Sequence, residues 1–584
     1  MTTATHPFDL QARAALAARS LTGLLDAERD GLMYFLANWR ARPPRADHGL
    51  WDCGDGSGRH VDALTLARTM VRAGSPVSVP DRGERQLERW MLRLLGDDGL
   101  SWLPEEPWAA PWEPQLMLVD WQPGSPVAEI SWAQRGTLMG LISRYLYTSE
   151  ERYLRLAERM VDGLLRAAVL HPDGLLFPEG YYRLDGWRYH EPNLLPCLEE
   201  YNAAVALPAL RLYELTGYEP ALELAVGLTS LALRHTQGYL PNGQFRPTRD
   251  NIESHFHTRS NFILSVLKLG LVLGRREYVA WARQGYEHAR SWGTDFGWFP
   301  EGLGMRHGEI CCTTDMIEIA LMLGRHVDRR YYADAERFGR NHLLESQFLS
   351  LDRLLQALER LPADDTPAPW EGRYSTWERV AARQLGGFAS RPTLNDAFHL
   401  DAAWMMQCCN AAGTRGLYDL WRYAVEDAEA RDGQPALQAV HLRFSVETPE
   451  LRMVSYEPAE GRLDVMAQHA GDIEVRLPAG TAQALAVSHR PEDPRVNALV
   501  TRDGYVRFHV CTGECVSLYY PLAERSATYE VGSGECIARC IGYWRGETLM
   551  RVEPPGPFYP LYERSAGLEP VQPALPAGAP LPSL

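Results

Sequence analysis

Two pairs of adjacent cysteines stand out in this 584-residue sequence: Cys311 and Cys312 in GEICCTTDMIEIALML, and Cys408 and Cys409 in MQCCNAAGTRGLYDLW. Neighbouring cysteines seldom reach the Cα separation and orientation of an ordinary disulfide. Glu309 stands two residues before Cys311. If Glu309, Cys311, Cys408 and Cys409 converge, three thiolates and one carboxylate make a four-ligand site of the kind zinc favours. Each motif directly precedes an apolar helical pattern, and a helix N-terminus stabilises a thiolate, the form that binds metal or attacks a substrate. The plainer alternative is that these are buried free cysteines packing as small hydrophobes.

The elements that must bring these motifs together can be read from the period of the apolar residues. Up to about residue 430 the period is helical, as in YLRLAERMVDGLLRAAVL from Tyr153 and NFILSVLKLGLVLG from Asn261. Beyond it, RLDVMAQ, DIEVRLP, YVRFHV and CVSLYYPL alternate and read as strands between Gly and Pro turns. The change falls in EARDGQPALQ, a polar segment with both Gly and Pro. Within the helical part, LYTSEERYL, LYELTGYEPAL, LVLGRREYV and LMLGRHVDRRYY each end an apolar helix, turn, and restart on an aromatic: Tyr153, Tyr218, Tyr278 and Tyr331. That spacing fits a helix going out and another coming back, and leaves room for roughly six hairpins. Closed in a circle, six hairpins form an (α/α)6 toroid; the alternative is an open array of helix pairs, disfavoured because strands rather than capping repeats follow. The expected organisation is therefore a mainly α chain. It has an N-terminal leader at 1–20, the toroid at 21–430, a β-sandwich at 435–565 and a loose Pro-rich tail at 566–584.

Bulk properties limit the partners. With 59 basic and 75 acidic residues the net charge is -16, which disfavours nucleic acid. No stretch has the length of a membrane span, and the first twenty residues lack the apolar core of a signal peptide, so the expectation is a cytoplasmic protein. Ten cysteines in a chain of this size give no dense disulfide framework. Dimerisation is left open, since nothing in one chain's pattern marks a self-complementary face.

A toroid places its active site in the central cleft. Two loops are rich in aromatic and polar residues: EGYYRLDGWRYHEPN, with Tyr182 and His190, and SWGTDFGWFPEG, with Asp295, Trp298 and Glu301. Aromatic faces stack on sugar rings while carboxylates, His and Arg bond hydroxyls, although any one Trp can equally fill the core. His255, His257 and Arg259 in ESHFHTRSN precede a helix and either face the cleft or cap that helix. Asp52 and Asp55 sit in a Gly-rich turn that explains them without function, or on the cleft rim.

The Glu-x-Cys motif at a helix start, followed at long range by Cys-Cys, resembles the β-L-arabinofuranosidase-like glycoside hydrolases of family 127 and the wider DUF1680 group. WDCGDGSGRHVDAL, HFHTRSN, LYYPLAERSATYEV and YWRGETLMRVEPPGPFYPLYER extend the resemblance over most of the chain. It implies a Zn2+ held by Glu309, Cys311, Cys408 and Cys409, with Cys408 also the nucleophile that forms a thioglycosyl intermediate, and Cys312 a structural neighbour. It implies retention of configuration and a second carboxylic acid in the loop before Glu309. Glu301 is the choice for that acid, with Asp295 and Glu253 in reserve, although Glu301 lies nearer the motif than the family pattern has it. His257 aligns with a sugar-binding histidine of the family, and His255, Arg259, His190, Tyr182 and Trp298 complete the expected substrate contacts. After Cys-Cys the family tends to carry Pro and Asn, whereas Asn410, Ala411 and Ala412 follow here, so the arabinofuranoside preference is a separate question from the chemistry.

Two other readings compete. Cys511, Cys515, Cys536 and Cys540 form two CxxxC pairs, a spacing that structural zinc sites use; on strands, i and i+4 share one face, which also fits simple core packing. As to function, a toroid sugar epimerase or unsaturated uronyl hydrolase would work through His and carboxylates without metal, and a non-catalytic carbohydrate-binding relative would use the metal only to brace the cleft.

Overall fold

The computed structural model describes residues 8–71, 81–109, 122, 124–178, 180–189, 197–246, 255–428, 437–490, 495–533 and 537–564. About 44% of the chain is helical and 23% strand, so it is mainly α. The longer helices among the described residues are α1 Leu10–Leu21, α2 Asp55–Met70, α3 Asp81–Arg93, α4 Trp132–Thr148, α5 Glu151–Ala167, α6 Ala203–Thr216, α7 Glu219–His235, α8 Phe256–Leu273, α9 Arg276–Arg290, α10 Ile310–His326, α11 Tyr332–Phe338, α12 Leu351–Arg360 and α13 Gln407–Ala424.

Two kinds of helix alternate. The segments α2, α4, α8 and α10 are buried on nearly every side for most of their length, the signature of helices enclosed by protein. In contrast, α5 buries Tyr153, Ala157, Met160, Val161 and Leu164, one stripe at helical spacing. The enclosed helices pack in a cycle: α2 on α4, α4 on α6, α6 on α8, α8 on α10, α10 on α13, and α13 back on α2. Each except α13 packs on the helix that follows it in sequence, giving the pairs α2–α3, α4–α5, α6–α7, α8–α9 and α10–α11. Where α2 crosses α4 the backbones nearly touch: a Cβ on Gly58 would lie 2.2 Å from the Gly136 carbonyl carbon. Glycine at both positions lets the N-termini of these two helices approach.

The restart tyrosines tie the pairs together. Tyr153 at the start of α5 donates to Glu88 of α3, Tyr218 before α7 donates to Asp162 of α5 at 2.6 Å, and Tyr331 before α11 donates to Glu287 of α9 at 2.6 Å. At these three positions the aromatic that follows a turn is thus a hydroxyl that bonds the preceding outer helix.

The N-terminal segment departs from the expected leader. Asp9 caps α1 by accepting from the Ala12 amide at 2.9 Å, and α1 packs on both α13 and α2. It takes the outer place beside α13, and the Leu10 amide bonds the Ser445 carbonyl at 3.2 Å. Its eight buried positions, seven of them Leu or Ala beginning at Leu10, are dominated by small side chains, which let it lie close to its neighbours.

After α13 the chain turns to strands, as the alternation predicts. A four-stranded sheet contains Gly471–Arg476 and Tyr505–Val510, and a six-stranded sheet contains Leu451–Ser455, Arg462–Ala467 and Cys515–Tyr519. Inward residues of the two, such as Ile473, Phe508, Val465 and Leu518, belong to one apolar core. The strands Glu524–Val531, Ala538–Arg545 and Thr548–Glu553 form a separate sheet. Its Trp544 and Leu549 pack with Phe296, Trp298 and Phe348, so this last stretch builds a core with the helical part rather than with the other strands. Among the described residues no helix is long and apolar enough to cross a membrane. The Pro-rich tail lies outside the described residues.

Candidate metal centre and cavity

The N-terminal ends of α2, α4, α8, α10 and α13 line one cavity of about 340 Å³. Glu309 is the N-cap residue of α10 and Cys311 lies in its first turn; Cys408 and Cys409 lie in the first turn of α13. Because α10 packs on α13, residues a hundred positions apart in sequence meet. One oxygen of Glu309 and the sulfurs of Cys311, Cys408 and Cys409 all lie within 4.8 Å of one another.

The spacing can be compared with what a metal requires. Tetrahedral zinc with Zn–S near 2.3 Å and Zn–O near 2.0 Å sets S···S and S···O edges of roughly 3.8 and 3.5 Å. The Cys311 and Cys409 sulfurs are 3.7 Å apart, and Cys409 Sγ is 3.6 Å from Glu309 Oε1. The donor set, three sulfurs and one carboxylate oxygen, suits the same metal.

The thiols differ in their electrostatics. Hydrogen bonds from Cys311 and Cys409 bring Cys408 down to about 5, with Arg59 assisting, while burial and Glu309 oppose. Burial pushes Cys409 well above the ordinary thiol range and raises Cys311 as well. Cys408 is thus the sulfur most ready to carry charge, and it is half-buried where Cys311 and Cys409 are fully buried. The guanidinium of Arg59 reaches Cys311 Sγ at 3.8 Å and Asp55 at 3.6 Å.

A ring of polar groups surrounds this cluster. His255 Nε2 is 2.6 Å from Glu309 Oε2; burial works against the imidazolium, but the charges of Glu309, Glu301 and Glu200 and the hydrogen bond to Glu309 outweigh it and lift His255 to about 9. His257 Nδ1 is 2.6 Å from Asp315, and its ring stacks on Trp132 at 5.4 Å. Arg135 approaches His257 Nε2 at 3.5 Å; since arginine only donates, that nitrogen is the acceptor and Nδ1–H points to Asp315. Glu301 lines the same cavity, held by Arg391 at 2.5 Å and His307 at 2.8 Å.

The chain shares its fold with family 127 glycoside hydrolases. A GH127 β-L-arabinofuranosidase from Geobacillus stearothermophilus T6 superposes with a TM-score of 0.51 and 14% identity, over 92% of this chain and 80% of its own. A second GH127 β-arabinofuranosidase gives 0.54 and 12% over 92% and 78%, and a third protein, described as a glycoside hydrolase, gives 0.52 and 12% over 90% and 85%. No family model matches the chain, and no curated protein matches it.

On this family 127 fold, the sequence-predicted residues divide. Glu309, Cys311, Cys408, Glu301, His255 and His257 line the cavity, with Cys409 behind them and Asp55 at its wall. Cys312 is buried, its sulfur 3.6 Å from Glu309 Oε2. Arg259 does not line the cavity: two residues along a helix is a turn of about 200°, and its guanidinium donates to the Gly238 carbonyl at 2.5 Å beneath the rings of Phe245 and Tyr239. Trp298 does not line it either; it is fully buried among Trp39 and Phe296, and its indole donates to the Pro392 carbonyl at 2.9 Å. Tyr182 sits on a hairpin against Trp102 and Trp187, away from the lining. Asp295 binds the final sheet through the Tyr529 hydroxyl at 2.5 Å and Arg525, and Asp52 is buried against His48 and the Phe35 amide. His190 and Glu253 lie outside the described residues.

Cys536 is also outside the described residues, while Cys515 and Cys540 belong to different sheets. Among the described residues Cys511, Cys515 and Cys540 join no candidate metal group.

Among the lining residues that sequence reasoning missed are Arg59, Trp132, Glu200, Arg391 and Trp404. Trp404 was discoverable: it lies four residues before Cys408 on the strand Trp404–Met406, which pairs with Leu36–Asn38 at the cavity mouth. It is 43% exposed, unusual for so large an aromatic unless it meets something from solvent.

Proposed function

We propose that the protein is a retaining glycosidase built on an (α/α)6 toroid with a C-terminal β-sandwich, acting on a small neutral sugar such as a β-L-arabinofuranoside. The observation that carries this reading is the meeting of Glu309, Cys311, Cys408 and Cys409 at the floor of a cavity large enough for one sugar residue. The shared family 127 fold supports it.

Glu309, Cys311, Cys408 and Cys409 would hold a zinc ion, which when bound keeps the thiols deprotonated and the sulfurs fixed. His255 orients Glu309 from outside the donor set, as partners of metal ligands do. Cys408 attacks the anomeric carbon; the S–C bond forms as the glycosidic C–O bond breaks, and Glu301 gives its proton to the leaving oxygen. Glu301 then takes a proton from water, whose oxygen bonds the anomeric carbon as the S–C bond breaks, restoring the thiolate. Arg391 and His307 fix the two Glu301 oxygens, and His257, whose Nε2 meets Arg135, lines the cavity beside the sugar.

Elemental mass spectrometry on purified protein tests the foundation. Wild type should carry about one zinc per chain, and Cys311→Ser and Cys409→Ser should lose most of it. Zinc-free wild type, or undiminished zinc in both variants, would end the thiolate mechanism. At the mouth, Trp404→Ala is expected to raise KM roughly fivefold with a smaller change in kcat, the loss of about 1 kcal/mol of stacking. Steady-state kinetics on an aryl furanoside would show it, and an unchanged KM would remove Trp404 from the sugar's path.

A further inference from the structure

We infer a second metal site, remote in sequence from the cysteine centre, formed by His171, Asp173 and His235 and suited to a divalent first-row transition ion such as Zn2+ or Ni2+. One nitrogen of each histidine and one Asp173 oxygen lie within 4.8 Å of one another. The strands Val169–His171 and Gly174–Leu176 form a hairpin whose two-residue turn is Pro172–Asp173. This tight turn presents His171 and Asp173 on one side. His235 is the last residue of α7, which packs on the hairpin.

The contacts within the group are those of a site that closes on an ion with small side-chain rotations. His235 Nε2 is 2.7 Å from Asp173 Oδ2, His171 Nδ1 is 3.9 Å from the same oxygen, and the two imidazole rings meet edge to face at 5.3 Å. Two imidazoles and one carboxylate select transition ions over Ca2+ or Mg2+, which prefer all-oxygen sites. All three residues are part-exposed, so an ion can enter from solvent and keep water in its open positions. His235 ends α7, and the C-terminal end of a helix is a favourable one for a cation.

Two interactions compete with the metal. The Asp173 amide donates to His171 Nδ1 at 3.1 Å, and the Arg234 guanidinium pairs with Asp173. Arg234 is 68% exposed, so releasing that pair into solvent costs little. The ion would pin the hairpin to α7 across 62 residues of chain, raising stability by mass action.

The test is calorimetric titration of Ni2+ into the full-length protein with its cysteine centre already loaded with zinc. Wild type should show one binding event per chain, with a Ni2+-dependent rise in melting temperature and weaker binding at pH 6 than at pH 7.5, because the imidazoles must be neutral to ligate. His235→Gln and His171→Gln should each weaken binding at least about tenfold, whereas Arg234→Gln should strengthen it severalfold by removing the competing cation. With the cysteine centre filled by zinc, loss of the event in the His171 and His235 variants separates it from that centre. No binding by wild type, or equal binding by folded His235→Gln and His171→Gln, overturns the site.

Discussion

Cys408→Ser is expected to lower turnover by at least about 10³-fold, with KM changed far less. The reason is electrostatic rather than steric. Hydrogen bonds from Cys311 and Cys409, helped by Arg59, bring the Cys408 thiol down to about 5, against burial and Glu309, which favours the thiolate that the proposed attack requires. A serine hydroxyl in the same place gains the same donors but starts from a far higher pKa, and its alkoxide is a far poorer leaving group when the intermediate must break. Zinc content is measured alongside. A Cys408→Ser protein that keeps metal through Glu309, Cys311 and Cys409 yet is inactive isolates the nucleophilic role from the ligand role. A folded serine variant that retains more than a tenth of wild-type activity would sink the cysteine mechanism, and the search would pass to Glu301 and Glu200 as a carboxylate pair.

Much of this centre was legible because its elements follow local rules. Helical periodicity places α10 and α13, and the cysteine motifs sit at helix starts, where a thiolate is stabilised. What the sequence did not reveal is which neighbouring side chain turns toward the cavity. Arg259 and His257 share a motif, yet 200° of helical rotation sends His257 to the cavity and Arg259 into a bed of aromatic rings. Trp298 and Trp404 are equally conspicuous in sequence, but burial depends on partners far along the chain. Trp298 meets the Pro392 carbonyl and the rings of the final sheet, whereas Trp404 lies at an edge left open by short strands. The leader reading failed for the same kind of reason. The α1 pattern is weakly amphipathic and Ala-rich, and only the cleft between α13 and α2 explains its burial. The last three strands alternate like their predecessors, and nothing local says that their apolar face covers Phe296 and Phe348 instead of the other sheets.

The largest expected effect on stability comes from Glu336→Ala, about 3–5 kcal/mol. Glu336 lies in the last turn of α11, and with Arg340 just beyond the helix it meets Arg443, Glu457, Arg476 and Glu547 from the strand-bearing half. Arg340 pairs with Glu336 at 2.6 Å and Glu457 at 3.2 Å. Arg443 pairs with Glu336 at 3.0 Å, Glu457 at 3.0 Å and Glu547 at 2.6 Å, and Arg476 pairs with both Glu336 and Glu547. Three guanidiniums and three carboxylates balance, and every side chain is nearly or wholly buried. Such a group adds little compared with apolar packing, but removing one member strands its partners without water. Without Glu336, three arginines share two carboxylates in a dry interface between the helical part and the sheets. Burial would raise the Glu336 carboxyl, yet Arg443, Arg476 and Arg340 together hold it below its ordinary 4.5; Glu547 is lowered in the same way by Arg476 and Arg443 against burial. For groups lowered on folding, the stabilisation is fully present above about 4.5 and is lost as pH falls through the folded-state values. Urea unfolding of wild type should therefore show a midpoint that declines below about pH 4.5, and Glu336→Ala should lose that part of the slope along with several kilocalories per mole at pH 7. Glu336→Gln, which keeps the volume and two hydrogen-bonding atoms but not the charge, should fall between them. A Glu336→Ala protein as stable as wild type at neutral pH would mean that water reaches the interface and that the sheets are held to the helices by their apolar faces alone.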